Sequence, residues 1–291
     1  MLDPRRHSVE RMYQEVRTSM AVSARLAGAL ALAWGVSGSR AWAGQPEPWQ
    51  LGMQEAATPI KAQMETFHDL LLVIITAVCV VVLALLVYVV VRFRASANPK
   101  PSRTTHNTLL EVVWTGVPVI ILLVIAVPSF KLLYFEESTP EADLTIKAIG
   151  RQWYWTYEYP DHGNFTFDAF MLSRDEADAA GKPALLATDN DVVVPAGATV
   201  RVLISATDVL HSWAMPSFGV KRDAIPGRLN ETWFRVDEPG MYYGQCSELC
   251  GVGHGFMPIA VRVVPPDEFD AWVADAQETF ARVDGVDVVQ R

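Results

Sequence analysis

Two long apolar runs stand out in the first half of the chain. Residues 70–91 carry no charge over 22 positions, and residues 112–134 are charged only at Lys131. At 1.5 Å rise per residue, a helix over the first run spans about 33 Å, enough to cross the hydrocarbon core of a bilayer. Two such lengths in succession disfavour a buried hairpin of a soluble protein. The pattern predicts transmembrane helices at 70–91 and 112–134.

From residue 142 onward the pattern changes to short alternating or β-branched runs separated by Pro and Gly. Many short strands with such turns predict an all-β sandwich or barrel. A last stretch, 266–282, has apolar residues at helical spacing and predicts a C-terminal helix. The predicted strands lie at 144–149, 153–159, 165–170, 191–194, 199–204, 231–236 and 259–264.

The N-terminus has the three-part pattern of an export signal. Basic residues, including Arg17 and Arg25, precede an apolar stretch at 26–36, and Ala41-Trp-Ala43 offers small residues where a signal peptidase reads. The alternative is a disordered cytoplasmic tail. We predict a signal peptide at 1–43, followed by an exported segment at 44–69.

The charges around the two apolar runs predict the topology. Arg92, Arg94, Lys100 and Arg103 lie in the connection 92–111, and cytoplasmic loops are enriched in Lys and Arg. This connection is therefore predicted to be a cytoplasmic loop. The β domain, 135–265, and the C-terminal helix and tail, 266–291, then lie outside with the mature N-terminus.

The outer part of the chain is acidic. Residues 136–291 hold 12 Lys and Arg against 25 Asp and Glu. An acidic surface gives solubility or steers a basic partner, and net charge alone leaves both interpretations open. Nucleic acid is disfavoured as a partner, because phosphate binding needs a basic face.

Four soft metal donors lie within twelve residues: Cys246, Cys250, His254 and Met257. Thiolate, imidazole and thioether together select copper over hard cations, and zinc sites rarely use methionine. A disulfide between the two cysteines is the alternative, but it leaves the histidine and methionine without a purpose. Cys79 lies in an apolar run and is interpreted as a packing residue.

The number of thiols bears on the number of metal ions. A mononuclear blue-copper site uses one Cys, two His and a weak Met, so one Cys is surplus here. Two thiolates can bridge two ions, which suggests a dinuclear centre. A second imidazole must then come from His162 or His211, which are the other histidines of this domain.

Longer motifs resemble the subunit II family of haem–copper cytochrome c oxidases, of bacterial type. They are 152–159 (QWYWTYEY), 209–217 (VLHSWAMPS), 221–230 (KRDAIPGRLN) and 242–251 (YYGQCSELCG), and the resemblance covers roughly residues 48–282. It implies a two-helix transmembrane hairpin, then an all-β cupredoxin-like sandwich or barrel with a C-terminal helix. It also implies a dinuclear copper centre, CuA. The implied copper ligands are Cys246 and Cys250 as bridges, His211 and His254 as terminal ligands, Met257, and the carbonyl of Glu248, whose side chain would reach a magnesium ion shared with subunit I.

The resemblance further implies an electron-transfer route. Trp153 is expected to be an exposed ring where electrons enter from cytochrome c, while Tyr154 or Trp155 faces the core. Glu111 is expected at the entrance of a proton channel into subunit I. Subunit I, and also subunit III, the lipid bilayer of the bacterial inner membrane and cytochrome c are the expected partners. The expected docking carboxylates are Glu158, Asp168, Asp189 and Asp208.

Two other functions are weighed against this one. A quinol oxidase subunit has the same fold, but such relatives have lost the copper ligands that this chain retains. A membrane-tethered copper-binding or assembly protein without turnover would not need Trp153, the acidic surface or Glu111.

Overall fold

A computed structural model describes residues 43–280 of the chain. The predicted signal peptide lies outside the described residues except for Ala43, as does the tail from residue 281 onward.

Two long helices open the described structure. Helix α1 is Pro59–Arg92 and helix α2 is Thr108–Glu137, and both are long and apolar enough to cross a membrane. Their exposed apolar side chains suit a lipid environment. Both helices extend beyond the predicted apolar runs, because polar side chains cap them further out. Thr58 accepts a hydrogen bond from the Lys61 N–H at 3.1 Å, and Asn107 accepts one from the Leu110 N–H at 3.2 Å.

The start of α1 is anchored on the β domain. Ile60 and Lys61 are buried there, and the Thr58 hydroxyl donates to the Phe218 carbonyl at 2.6 Å. The predicted exported segment therefore includes the first turns of a helix.

Residues 43–280 contain eleven strands, numbered here in chain order. They are β1 (Ala43–Gly44), β2 (Leu144–Arg151), β3 (Tyr154–Tyr159), β4 (Phe165–Ala169), β5 (Val192–Pro195), β6 (Thr199–Ala206), β7 (His211–Met215), β8 (Val220–Ala224), β9 (Asn230–Arg235), β10 (Gly240–Cys246) and β11 (Pro258–Val264). One sheet has the order β5-β11-β10-β7-β8, with β1 added along β10. The other has the order β4-β3-β2-β6-β9.

The core of the sandwich is aromatic and β-branched. Buried and partly exposed positions alternate along β2 and β6, as expected for strands with one face inward. Trp155, Tyr157, Tyr159, Trp213 and Phe234 are almost completely buried. Burying a large apolar side chain contributes about 1.5–3 kcal/mol, so these rings are a major part of what holds the two sheets together.

The C-terminal helix α4 (Pro266–Thr279) packs Phe269, Val273 and Ala276 inward. With the helix pair and the sandwich it completes the architecture, so the predicted fold class is confirmed. A short helix, α3 (Arg174–Ala179), was not predicted, and it begins with a capping box between Ser173 and Glu176.

The sequence patterns did not predict strands β7, β8 and β10. His211 is the first residue of β7, and Val209 and Leu210 before it are exposed. Strand β7 is buried at every position, so it lacks the alternation by which strands were recognised.

Candidate metal centre

The candidate centre is assembled where β7 and β10 lie side by side. His211 begins β7 and Cys246 ends β10. The strands run antiparallel, with Cys246 opposite Trp213, so the start of one meets the end of the other. This register brings an imidazole and a thiol together although they are 35 positions apart in the sequence.

The turn between β10 and β11 supplies the other donors. Gln245 pairs with Pro258 where the two strands meet, and the turn between them carries Cys250, His254 and Met257. Gly251 has φ +118°, a conformation that only glycine adopts without strain. The turn can therefore reverse direction tightly while Cys250 and Met257 stay buried.

Each thiol faces its own imidazole. Cys246 Sγ lies 3.9 Å from His211 Nδ1, and Cys250 Sγ lies 3.6 Å from His254 Nδ1. The two sulfurs are 3.9 Å apart, and Met257 Sδ lies 3.5 Å from the sulfur of Cys250. The structure therefore brings the five predicted ligand side chains into one cluster.

The cluster suits a metal rather than a disulfide. The sulfur–sulfur distance of 3.9 Å is far longer than the S–S bond of about 2.05 Å, and both cysteines are free. An ion about 2.3 Å from a thiolate sulfur can contact both sulfurs at this spacing. Since the donors are thiolate, imidazole and thioether, the residues present fit copper.

The cluster is closed to bulk solvent. His211, Cys246, Cys250 and Met257 are buried, while His254 is half-buried. Within residues 43–280, one set of three or more His, Cys, Asp or Glu side chains lies close enough to hold a metal ion, and it contains His211, Cys246 and Cys250.

The pKa values of the two thiols are shifted in opposite directions. Burial raises the pKa of Cys246, but hydrogen bonds from His211 and from backbone N–H groups outweigh it, so this pKa is lowered. Burial and the adjacent Cys246 raise the pKa of Cys250. Burial opposes charge on His211, yet contacts with Cys246 and Asp208 raise its pKa. A metal ion that bound Cys250 would therefore have to displace the proton of this thiol.

Asp208 fixes the orientation of the His211 ring. Its Oδ1 lies 2.9 Å from His211 Nε2, which leaves Nδ1 facing the thiols. The carboxylate also accepts the N–H groups of Val209 and Gln152, each at 2.7 Å. Such a carboxylate–histidine pair is a common way to hold a metal-binding imidazole.

Trp153 lies against the same turn. Its indole Nε1–H donates to the Cys250 carbonyl at 3.1 Å. A Cβ at Gly253 would lie 2.3 Å from Trp153 Cγ, so the ring rests directly on the glycine backbone. The ring was expected to be exposed and is in fact half-buried, because this turn covers part of it. Trp155 is fully buried, as expected for a core-facing ring.

Each predicted docking carboxylate has a partner within the chain. Glu158 forms an ion pair with Lys147 at 3.5 Å, and Asp168 accepts a hydrogen bond from the Thr156 hydroxyl at 2.6 Å. Asp189 accepts one from the Phe170 N–H at 2.7 Å, and Asp208 contacts the ring of His211. All four remain at least partly exposed.

His162, the other candidate imidazole, contacts Phe269 of α4 with ring centroids 5.5 Å apart. The structure thus places His211, and not His162, beside the cysteines.

Comparison with known proteins decides the family. Residues 144–264 match the family described as cytochrome c oxidase subunit II, periplasmic domain, and residues 46–132 match its transmembrane domain. A probable cytochrome c oxidase subunit 2 from Rickettsia bellii is 54% identical over 240 residues, covering 82% of this chain and 89% of the relative. The chain belongs to the cytochrome c oxidase subunit II family.

Two further subunit II proteins are similar. The mitochondrial cytochrome c oxidase subunit 2 of Vigna unguiculata is 47% identical over 236 residues, covering 79% of this chain and 62% of the relative. The crystal structure of the periplasmic domain of subunit II from Bradyrhizobium japonicum is 56% identical and covers 50% of this chain and 100% of that chain, with a TM-score of 0.47.

Family membership confirms the resemblance noted in the sequence. This subunit II chain is a two-pass membrane protein of the oxidase complex, and its family is a copper-binding subunit.

Two predicted site residues of this subunit II chain contribute no side chain to the cluster. The Glu248 carbonyl is 3.3 Å from Cys246 Sγ, and its half-buried side chain belongs to no metal cluster among the described residues, so magnesium stays a prediction. Glu111 is exposed in the first turn of α2, and its N–H bonds the Asn107 carbonyl at 3.0 Å. Its role in proton entry also stays a prediction.

One contact of this subunit II site was missed from the sequence. Gln152 Nε2–H donates to the Cys250 carbonyl at 2.8 Å. Gln152 opens the aromatic motif 152–159, but nothing in that motif indicates a bond across 98 positions.

Proposed function

We propose that this chain is the electron-entry subunit of a bacterial cytochrome c oxidase, taking electrons from cytochrome c for haem in subunit I. The observation that carries the proposal is a pair of thiols 3.9 Å apart, each facing its own imidazole. A single blue-copper site needs only one thiolate. Reduction of oxygen to water and proton pumping belong to subunit I.

The donors found in the cluster would hold two copper ions, the CuA centre. The side chains of Cys246, Cys250, His211, His254 and Met257 would hold the ions, together with the Glu248 carbonyl. When bound, the centre supplies one-electron redox chemistry. Strands β7, β10 and β11 keep the donors in a fixed arrangement, so their positions change little when the charge changes.

Trp153 is the proposed entry point for the electron. The half-exposed indole touches the surface on one side and donates to the carbonyl of a ligand, Cys250, at 3.1 Å on the other. It therefore gives a docked cytochrome c both a contact and a short bonded path to the site. The exposed edges of Glu158, Asp168, Asp189 and Asp208 would attract a basic donor at longer range.

The remaining partners follow from the family. Subunit I would contribute to a magnesium site at the Glu248 side chain, since carboxylates suit hard cations, and subunit III is a further neighbour. We place the chain in the bacterial inner membrane with the copper domain on the periplasmic side, supported by the basic loop between the helices. Glu111, near the cytoplasmic end of α2, would mark the proton entrance.

Turnover and copper spectroscopy on the purified complex test this function. We expect rapid oxidation of ferrocytochrome c and a seven-line electron paramagnetic resonance pattern from one electron shared by two coppers. Cys250→Ser should abolish both, while Cys79→Ser, in the apolar run, should change neither. A four-line pattern in the unmodified complex would mean one copper. Copper binding without ferrocytochrome c oxidation would favour an assembly protein instead.

A further inference from the structure

Gln152 lies in the short connection between β2 and β3, in the sheet that carries no donor of the cluster. Its backbone N–H donates to Asp208 Oδ2 at 2.7 Å, and its side-chain Nε2–H donates to the Cys250 carbonyl at 2.8 Å. Through Asp208, the first bond reaches the residue that orients His211. One residue of the opposite sheet thus binds both segments that bring ligands to the site.

The turn between β10 and β11 carries Cys250, His254 and Met257, and we call it the ligand turn. Few hydrogen bonds join its middle part, residues 248–253, to the rest of the described chain. For residues 248–253, the described hydrogen bonds to residues outside 246–257 all end on the Cys250 carbonyl, and they come from Gln152 and Trp153. The other bonds of this stretch stay within the turn, such as the His254 N–H to the Gly251 carbonyl at 3.2 Å. The first residue of the turn is tied to β7 separately, because the Ser247 N–H donates to the Ser212 carbonyl at 3.0 Å. Gln152 and Trp153 therefore hold the middle of the turn, at Cys250.

We propose that Gln152 is a positioning residue for the copper site, holding the Cys250 carbonyl and the Asp208–His211 pair in fixed register. This inference rests on the proposed function and deepens it. The side chain of Gln152 bonds the Cys250 carbonyl and its backbone N–H bonds Asp208, so neither bond ends on a thiol, imidazole or thioether of the cluster. Because Trp153 donates to the same carbonyl, loss of the Gln152 amide should loosen the turn without releasing it.

The test compares two glutamines that make the same kind of bond. Gln152→Met removes the amide donor and keeps the size of the side chain. Gln277→Met is the matched control, because Gln277 Nε2–H donates to the His162 carbonyl at 2.7 Å from helix α4, which carries no ligand. Both variants are made in the full oxidase complex, and Gln152→Lys, which returns an N–H donor, is the rescue variant.

Copper retention and spectroscopy are the first readouts. One hydrogen bond contributes about 0.5–1.5 kcal/mol net, so Gln152→Met should speed copper release to a chelator roughly two- to tenfold and alter the copper hyperfine splitting. Gln152→Lys should recover part of the loss, and Gln277→Met should behave like the unmodified complex. Equal release from Gln152→Met and the unmodified complex, or an equal effect of Gln277→Met, would overturn the proposal.

Hydrogen exchange on the metal-free complex separates this inference from the proposed function. Gln152→Met should speed amide exchange in residues 248–253, whether or not the site holds two coppers. If the unmodified complex gave a four-line signal but exchange still rose, the dinuclear function would fail while the positioning role stood. Unchanged exchange in 248–253 would overturn the positioning role by itself.

Discussion

Asp208 Oδ1 lies 2.9 Å from Nε2 of His211, and the same carboxylate keeps an exposed edge. Asp208 therefore adds to its predicted docking role a contact with His211 that the sequence did not suggest. It orients a predicted copper ligand, and it also adds negative charge to the surface on which a basic partner would dock.

Two substitutions separate these properties. Asp208→Asn keeps one oxygen acceptor for His211 but removes the charge and the second oxygen, which accepts the Gln152 N–H. We therefore expect a smaller copper loss than in Asp208→Ala and a raised KM for cytochrome c. Asp208→Ala removes both oxygens and the charge, and loss of such an orienting partner typically weakens metal binding about 10- to 100-fold. Copper content and steady-state kinetics measure the two effects. Equal copper loss in both variants would show that charge, and not orientation, is what His211 needs.

The thioether of Met257 is predicted to tune the site rather than build it. Met257 is buried beside Cys250, and a Met-to-Leu exchange conserves volume at a cost below about 1.5 kcal/mol. Met257→Leu should therefore keep copper while shifting its spectrum and reduction potential. Met215→Leu, at another buried methionine, is the control and should shift neither. An unchanged potential in Met257→Leu would show that the thioether is not a ligand.

Gly253 is predicted to be essential for electron entry. A Cβ there would lie 2.3 Å from Trp153 Cγ, whereas a Cβ at Gly255 in the same turn meets no atom within 4 Å. Gly253→Ala should displace the indole and lower kcat/KM for ferrocytochrome c by about 10- to 100-fold, as expected for a misplacement near 1 Å. Gly255→Ala should leave it unchanged, and similar rates for both variants would contradict entry at Trp153.

The proposed docking of cytochrome c on the predicted carboxylates is tested by neutralising two of them, Glu158 and Asp168, together. Glu158→Gln with Asp168→Asn should raise KM for cytochrome c roughly two- to tenfold at low salt, with kcat unchanged, because long-range attraction governs encounter. The difference should shrink as ionic strength rises.

The control removes the same charge from another surface. Asp270→Asn with Asp275→Asn neutralises two exposed acids of α4. If this pair raised KM as much as the first, net charge and not a defined surface would attract the donor.

Features that depend on residues close together in the chain could be predicted from the sequence. The membrane helices follow from uncharged runs, and strands such as β2 and β6 follow from alternation that matches their burial. The ligand turn was found because Cys246, Cys250, His254 and Met257 fall within twelve residues.

Other features depend on how distant segments meet. Strand β7 is covered on both faces, so its residues show no alternation. The choice of His211 over His162 came from family resemblance, and it is the pairing of β7 with β10 that brings His211 to Cys246. The bonds of Gln152 join residues 56 and 98 positions apart, and no local pattern carries that information.

The pairing of β7 with β10 also determines when the site is complete. His211 and Cys246 become neighbours only when these strands pair, although the two cysteines are close in any conformation of the chain. Cys246, Cys250, His254 and Met257 therefore lie close together along the chain before the strands pair, whereas His211 joins them only afterwards. The complete set of five side chains exists only in the folded sandwich, and a chain in which β7 failed to pair with β10 would lack one imidazole of the site.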